Sequence, residues 1–147
     1  MGNRKYQKEK RYNLFQQKIA LQAAYPEAKC FITKNKLFWY GNIKPTPLSR
    51  EYKVHLQYGL NKTPKVWVVG DELKKLNAKD FPHYFDVDSN LKKVRICLYR
   101  YQEFSVTKFL AKTIVPWTVE WLYFYEMWLA TGRWLGGGEH PMAKHIK

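Results

Sequence analysis

The segment Tyr52–Tyr58 constrains the fold more than any other part of the chain. Tyr52, Val54, Leu56 and Tyr58 alternate with Lys53, His55 and Gln57. Successive side chains of a strand point to opposite faces, so this pattern describes a strand with one side on a core and the other toward water. A one-sided strand needs partners on both edges, and the sequence supplies them. Ala28–Thr33, Leu37–Asn42 and Lys65–Val69 are short extended segments, with Asn35-Lys36 as a tight turn between the first two. Pro45 and Pro47 end the second, and Gly59 to Pro64 connects the third to the fourth. Connections this short join neighbouring antiparallel strands, so the four are expected to form a meander.

The meander's inner face requires a cover, and helical patterns stand at both ends. Over about residues 5–24, Tyr12, Phe15, Ile19 and Ala23 recur at helical spacing, and Tyr25-Pro26 stops the run. The basic start, Arg4, Lys5, Lys8, Lys10 and Arg11, is open to two readings: a solvated helix face or a partner-binding one. After residue 70 the sequence is irregular through Phe81-Pro82-His83-Tyr84, and Val94–Tyr99 is a short extended piece. Ser105 is placed to cap a helix running to Val115, Pro116 interrupts, and Trp117–Thr131 forms a second, mostly buried helix ending at Gly132. The expected class is therefore α+β: an N-terminal helix, a four-stranded antiparallel meander, an irregular segment and two C-terminal helices, in one domain over residues 1–147.

Composition narrows the function. Hydrophobic residues make up 46% and aromatics 17% of the 147 residues, too much for a disordered chain. Two cysteines without a C-x-x-C give no disulfide scaffold and argue against a structural zinc site, and no cofactor is expected. Trp117 to Leu129 is shorter than the ~20 residues of a membrane span and carries Glu120 and Glu126. No apolar stretch follows Arg4 and Lys5, so no secretory signal is read and a cytoplasmic location is expected. The net charge of +14 is a footprint expected of phosphate-binding proteins. It is uneven: residues 1–100 hold 21 Lys and Arg against 8 Asp and Glu, whereas residues 101–147 hold 5 against 4.

Within Val94–Tyr99 the alternation directs Val94, Ile96 and Leu98 inward and Arg95, Cys97 and Tyr99 outward. Lys92, Lys93, Arg95 and Arg100 surround Cys97 in sequence, and positive charge favours the nucleophilic thiolate. Two readings of Cys97 stay open on this basis, a nucleophile or an inert thiol. Cys30 has no such neighbourhood and reads as a small hydrophobe.

Ile96-Cys97-Leu98, followed by Glu103-Phe104-Ser105 and a helical pattern, is similar to the active-site segment of ubiquitin-conjugating enzymes. The order of elements over residues 10–131 resembles theirs. A bacterial branch is a closer match. Trp39 to Thr46, Tyr52-Lys53-Val54, Thr113 to Thr118, Glu120 to Glu126 and Gly136-Gly137-Gly138-Glu139-His140-Pro141 look like the conjugating-enzyme-like proteins of CBASS anti-phage operons, in their stand-alone form. The resemblance implies that Cys97 accepts the C-terminal glycine of a protein as a thioester and passes it to an amine. It implies the operon's cyclic-oligonucleotide synthase, a nucleotidyltransferase, as acyl donor, and protein amines as targets.

One departure bears on the chemistry. Where ubiquitin-conjugating enzymes carry His-Pro-Asn, this chain has His83-Tyr84-Phe85, so the Asn assigned to oxyanion stabilisation is absent. Candidate substitutes are His83, Asn90, His140 and backbone amides. Asp86 and Asp88 are candidates to take the amine's proton. Each has a plainer reading: a structural histidine, a solvated carboxylate, or, for Gly136 to Gly138, a turn. No Gly-rich phosphate loop is present to activate a carboxylate, which implies a separate activating enzyme or a preactivated donor. The competing reading is a non-catalytic module of the same fold that binds a protein or a nucleic acid through its basic face. Nucleic acid is disfavoured, because the aromatic excess is assigned to the C-terminal helices as core.

Overall fold

The computed structural model describes residues 10–98 and 101–137. Helix α1 (Leu14–Ala24) is followed by strands β1 (Lys29–Thr33), β2 (Lys36–Ile43), β3 (Tyr52–Tyr58), β4 (Lys65–Val69), β5 (Tyr84–Asp88) and β6 (Lys93–Ile96). Two single 3₁₀ turns, Tyr101–Glu103 and Leu110–Lys112, lead into helix α2 (Ile114–Thr131). The six strands form one sheet in the order β1-β2-β3-β4-β6-β5, with antiparallel pairing throughout.

The α+β class and the four-strand meander are as expected, and β3 and β4 have the expected bounds. The β1–β2 turn falls on Lys34-Asn35, one residue earlier than expected, and both have positive φ (50° and 63°). That is the geometry of a two-residue hairpin turn whose twist matches the strands. The sheet has six strands rather than four. Strand β5 lies in the stretch expected to be irregular, because Asp86 and Asp88 are poor strand formers and a register shift between Tyr84 and Asp86 breaks the period-2 pattern.

Among the described residues the C-terminal half holds one α-helix where two were expected. Ser105 caps no helix: its hydroxyl contacts Thr107 Oγ1 at 2.7 Å in a local turn. Phe109 is extended, and the chain becomes α-helical only at Ile114. Pro116 does not interrupt. It lies in the first turn of α2, where the N–H that proline lacks would have had no intrahelical partner. Gly132 ends the helix at φ 76°, as expected.

Helix α1 also departs from expectation. It starts at Leu14 rather than near residue 5, because Asn13 and Gln16 close a reciprocal capping box (2.8 and 2.9 Å). The expected apolar stripe faces outward, with Phe15 62% and Ile19 49% exposed. The buried face carries Gln17 and Leu21. Gln17 is buried because its amide bonds the backbone of the segment before α2: Nε2 donates to Lys108 O (2.8 Å) and Oε1 accepts from Leu110 N (2.9 Å). Residues 1–9, including the basic start, lie outside the described residues.

Leu37 and Trp39 of β2, Val54 and Leu56 of β3, and Val94 and Ile96 of β6 form the inner sheet face. They pack in one core with Leu21 of α1 and with Ile114, Trp121, Leu122 and Tyr125 of α2. Gly41 is required within this layer, since a Cβ there would run into the Trp39 indole. Two polar ties fix α2 on the sheet side. Tyr52 donates to Glu126 Oε2 (2.8 Å), and Tyr125 exchanges hydrogen bonds of 2.7 Å with both backbone groups of Lys74. No helix among the described residues is long and apolar enough to cross a membrane.

Candidate active site

Cys97 follows the last residue of β6, and the alternation holds up to it. Val94, Ile96 and Leu98 are buried, while Arg95 and Cys97 are half-buried. The cysteine is fixed through its backbone: Cys97 N donates to His83 O at 2.9 Å. The same carbonyl accepts from Trp121 Nε1 at 3.0 Å. One peptide oxygen thus pins the cysteine to the segment before β5 and to the middle of α2.

His83 is 2% exposed and adopts φ 39°, a left-handed conformation that costs a non-glycine residue about 1–2 kcal/mol. Its ring lies 4.7 Å from that of Trp134, tilted by 31°. The structure therefore brings His83 to the cysteine through its backbone and stacks its imidazole on an indole. Pro82, also buried, precedes it.

The cysteine opens onto a small pocket of about 30 Å³ lined by Trp117, Glu120, Trp121 and Phe124 of α2 and by Trp134, Gly136 and Gly137 beyond it. The helix residues stand at i, i+3, i+4 and i+7, a single stripe of α2. After Gly132 the chain returns along this stripe. Trp134 packs near Trp121 and Phe124 (ring centroids 5.7 and 5.9 Å), and its indole N–H donates to Gly137 O at 3.3 Å. A Cβ on Gly136 would lie 2.9 Å from Phe124 Cδ2 and 3.0 Å from Trp134 Nε1, so only glycine lets the chain pass there unstrained. Gly136 and Gly137 are thus a wall of the pocket rather than a simple turn, while Gly138 lies outside the described residues.

The other sequence candidates are distributed differently. His140 lies outside the described residues, as do Tyr99 and Arg100. Asn90 lies in the β5–β6 turn, at the end of β6 opposite Cys97. Asp86 pairs in register with Arg95 and Asp88 with Lys93, and Asp88 Oδ1 accepts from Leu91 N (3.0 Å); neither lines the pocket. The cations near Cys97 in sequence are partly engaged elsewhere. Lys92 bonds Asp71 at 2.7 Å, Lys93 lies over Trp67 and Arg95 over Phe85. Glu120 and Trp134 were not singled out in the sequence, although the Trp117–Phe124 spacing was visible once α2 was recognised.

Cys30 provides an internal contrast. Burial pushes its thiol up to about 11, against the opposing pull of Lys18, so it is protonated at neutral pH.

A helix-backed antiparallel sheet sets a strand-end cysteine against the long C-terminal helix. The chain matches the family model described as Type II CBASS E2 protein over residues 17–141, and it belongs to that family. Its role accordingly falls within CBASS, with the conjugation-like character of an E2. No curated protein matches the chain.

Proposed function

We propose that this protein is a cysteine acyltransferase that carries the C-terminal glycine of the CBASS cyclic-oligonucleotide synthase as a thioester on Cys97 and transfers it to a protein amine. The observation that carries this reading is the pocket at Cys97: a thiol fixed through its backbone, opening onto a narrow space with a glycine edge. A space this small suits an acyl group with no side chain, and glycine is such a group.

The chemistry follows in two exchanges. The Cys97 thiolate attacks the carbonyl carbon of an activated acyl group; the new C–S bond forms as the bond to the donor's leaving group breaks. A thiol with the ordinary pKa near 8.5 supplies a few per cent thiolate at neutral pH. An amine nitrogen then attacks the thioester carbon, a C–N bond forms, and the Cys97 sulfur departs as thiolate. The amine's proton passes to a base. Glu120, the carboxylate on the pocket wall, takes that role in place of Asp86 and Asp88.

Each exchange passes through an oxyanion, worth about 3 kcal/mol per donor aimed at it. Cys97's own amide is committed to His83 O, and the Asn of the family pattern is absent. Gly136 and Gly137 line the pocket, and their backbone amides are assigned this role. His83 is a positioning residue: its carbonyl holds Cys97 and Trp121, and its ring supports Trp134. Activation of the carboxylate precedes these steps and comes from a separate activity.

Mixing the protein with its operon's synthase and an activating partner tests the reading. A conjugate that forms with the native chain and is lost in Cys97→Ala, with the fold intact, is the expected result. Unchanged conjugation in that variant would sink it.

A further inference from the structure

The sheet has a second face, opposite α1 and α2, whose aromatic side chains are half-buried and not part of the core cluster. Its residues follow from the strand registers. One row runs across all six strands: Lys29, Tyr40, His55, Trp67, Arg95 and Asp86 are consecutive register partners. The adjacent row contains Phe31, Phe38, Gln57 and Lys65, and the row on the other side contains Lys53, Val69 and Lys93. Aromatic rings and cations therefore share the face.

The rings form a connected set. Phe31 stacks on Phe38 (centroids 5.3 Å apart), Phe31 meets Tyr40 (5.8 Å), and Tyr40 meets His55 (4.5 Å). Beyond them, Lys93 Nζ lies 5.0 Å from the centre of the Trp67 ring, and the Arg95 guanidinium lies 4.7 Å from that of Phe85. The only acids in these rows are Asp86 and Asp88, both on the edge strand β5. The surplus of positive charge is felt locally: the His55 imidazole is held below its ordinary pKa by burial and by Lys93 and Lys53.

We infer that this second sheet face is a binding site for single-stranded nucleic acid, with Tyr40 and Trp67 stacking bases and Lys53, Lys93 and Arg95 contacting phosphates. A ligand suited to this face offers flat π-surfaces and repeated negative charge along one line, and a single strand offers both. Tyr40 and Trp67 stand two strands apart, roughly 10 Å, which leaves room for separate bases on the two rings. Duplex nucleic acid presents its phosphates but keeps its bases stacked inside, so it cannot use the rings. The sequence assigned the aromatic excess to the C-terminal helices. The structure divides it, placing Phe31, Phe38, Tyr40 and Trp67 on the second face.

Fluorescence anisotropy of a labelled oligodeoxythymidine of about a dozen nucleotides, titrated with the full chain, tests the inference. Binding at low salt is expected, with log K falling by about 0.7 per phosphate neutralised for each tenfold rise in salt, or a slope of about −2 for three cations. Trp67→Ala and Tyr40→Ala are each expected to weaken binding about tenfold, the effect of one lost base stack, while Trp67→Phe retains most of it. Circular dichroism of each variant establishes that the sheet is intact. No binding at low salt would overturn the inference. So would equal affinity for a duplex, or ring variants that fold and bind like the native chain, since either result would reduce the face to a general basic surface.

Discussion

Cys30 and Cys97 are both half-buried thiols, one within a strand and one just past a strand's end, and they lie in regions built for different ends. Cys30 is within β1, paired in register with Trp39 and packed against the core. Its burial favours the neutral thiol. Cys97 lies just past β6, where the strand has ended and α2 and the Trp134–Gly137 segment form a pocket around it. Exposure alone does not separate the two. What separates them is the chain brought up beside each thiol, a tryptophan-bearing strand in one case and a glycine edge in the other.

The largest expected difference between the two thiols is in conjugate formation. Cys97→Ala is expected to reduce it by more than about a hundredfold, while Cys30→Ala leaves it within about twofold; the anti-conjugate blot of the two variants checks this. Loss of conjugation in the Cys30 variant, with the fold intact, would break the contrast.

Alkylation sharpens it next. At pH 8 a maleimide is expected to label Cys97 at least about tenfold faster than Cys30, read by peptide mass spectrometry. Cys30 labelling should climb about tenfold per pH unit until it levels near its raised pKa of about 11.

A smaller effect is expected at the pocket edge. Gly136→Ala puts a methyl group 2.9–3.0 Å from Phe124 and Trp134. Moving those rings costs about 1–3 kcal/mol, and transfer from Cys97 should fall about tenfold while Cys30 labelling is unchanged.

The smallest expected effect is alkaline destabilisation. Burial and the Glu126 hydrogen bond raise the Tyr52 phenol well above its ordinary value, and burial raises Tyr125 to about 12. Above pH 10 the unfolded chain releases protons that the folded chain retains. Stability is therefore fully present below about pH 10 and declines as pH rises toward the folded values. Both phenols tie α2 to the rest of the domain. Thermal melts between pH 9 and 11 should show this fall, and Tyr52→Phe should reduce its steepness.

The outer meander was legible because β3 keeps an unbroken period of two and short connections join it to its neighbours. The rest was hidden wherever a polar group decided the packing. Phe15 and Ile19 promised the buried face of α1, but the amide of Gln17 took it by satisfying the backbone of Lys108 and Leu110. Pro116 read as a break, although a proline in a first helical turn gives up nothing. Strand β5 was masked by two aspartates and a shifted register.

The site was half legible. Strand alternation left Cys97 open between a nucleophile and an inert thiol, and the resemblance then marked it as an acyl carrier. The shared carbonyl of His83 and the glycine edge at Gly136 depend on contacts between residues far apart in sequence, which no local pattern carries. Glu120 was within reach of sequence reasoning, since it shares a helical stripe with Trp117, Trp121 and Phe124.

The most direct test is intact-protein mass spectrometry of the chain after incubation with the activated synthase under non-reducing conditions. A covalent adduct of the synthase's mass on Cys97, released by added thiol and absent in Cys97→Ala, is expected. An adduct that survives thiol, maps to another residue, or forms equally in Cys97→Ala would contradict the assignment of Cys97 as the acyl carrier.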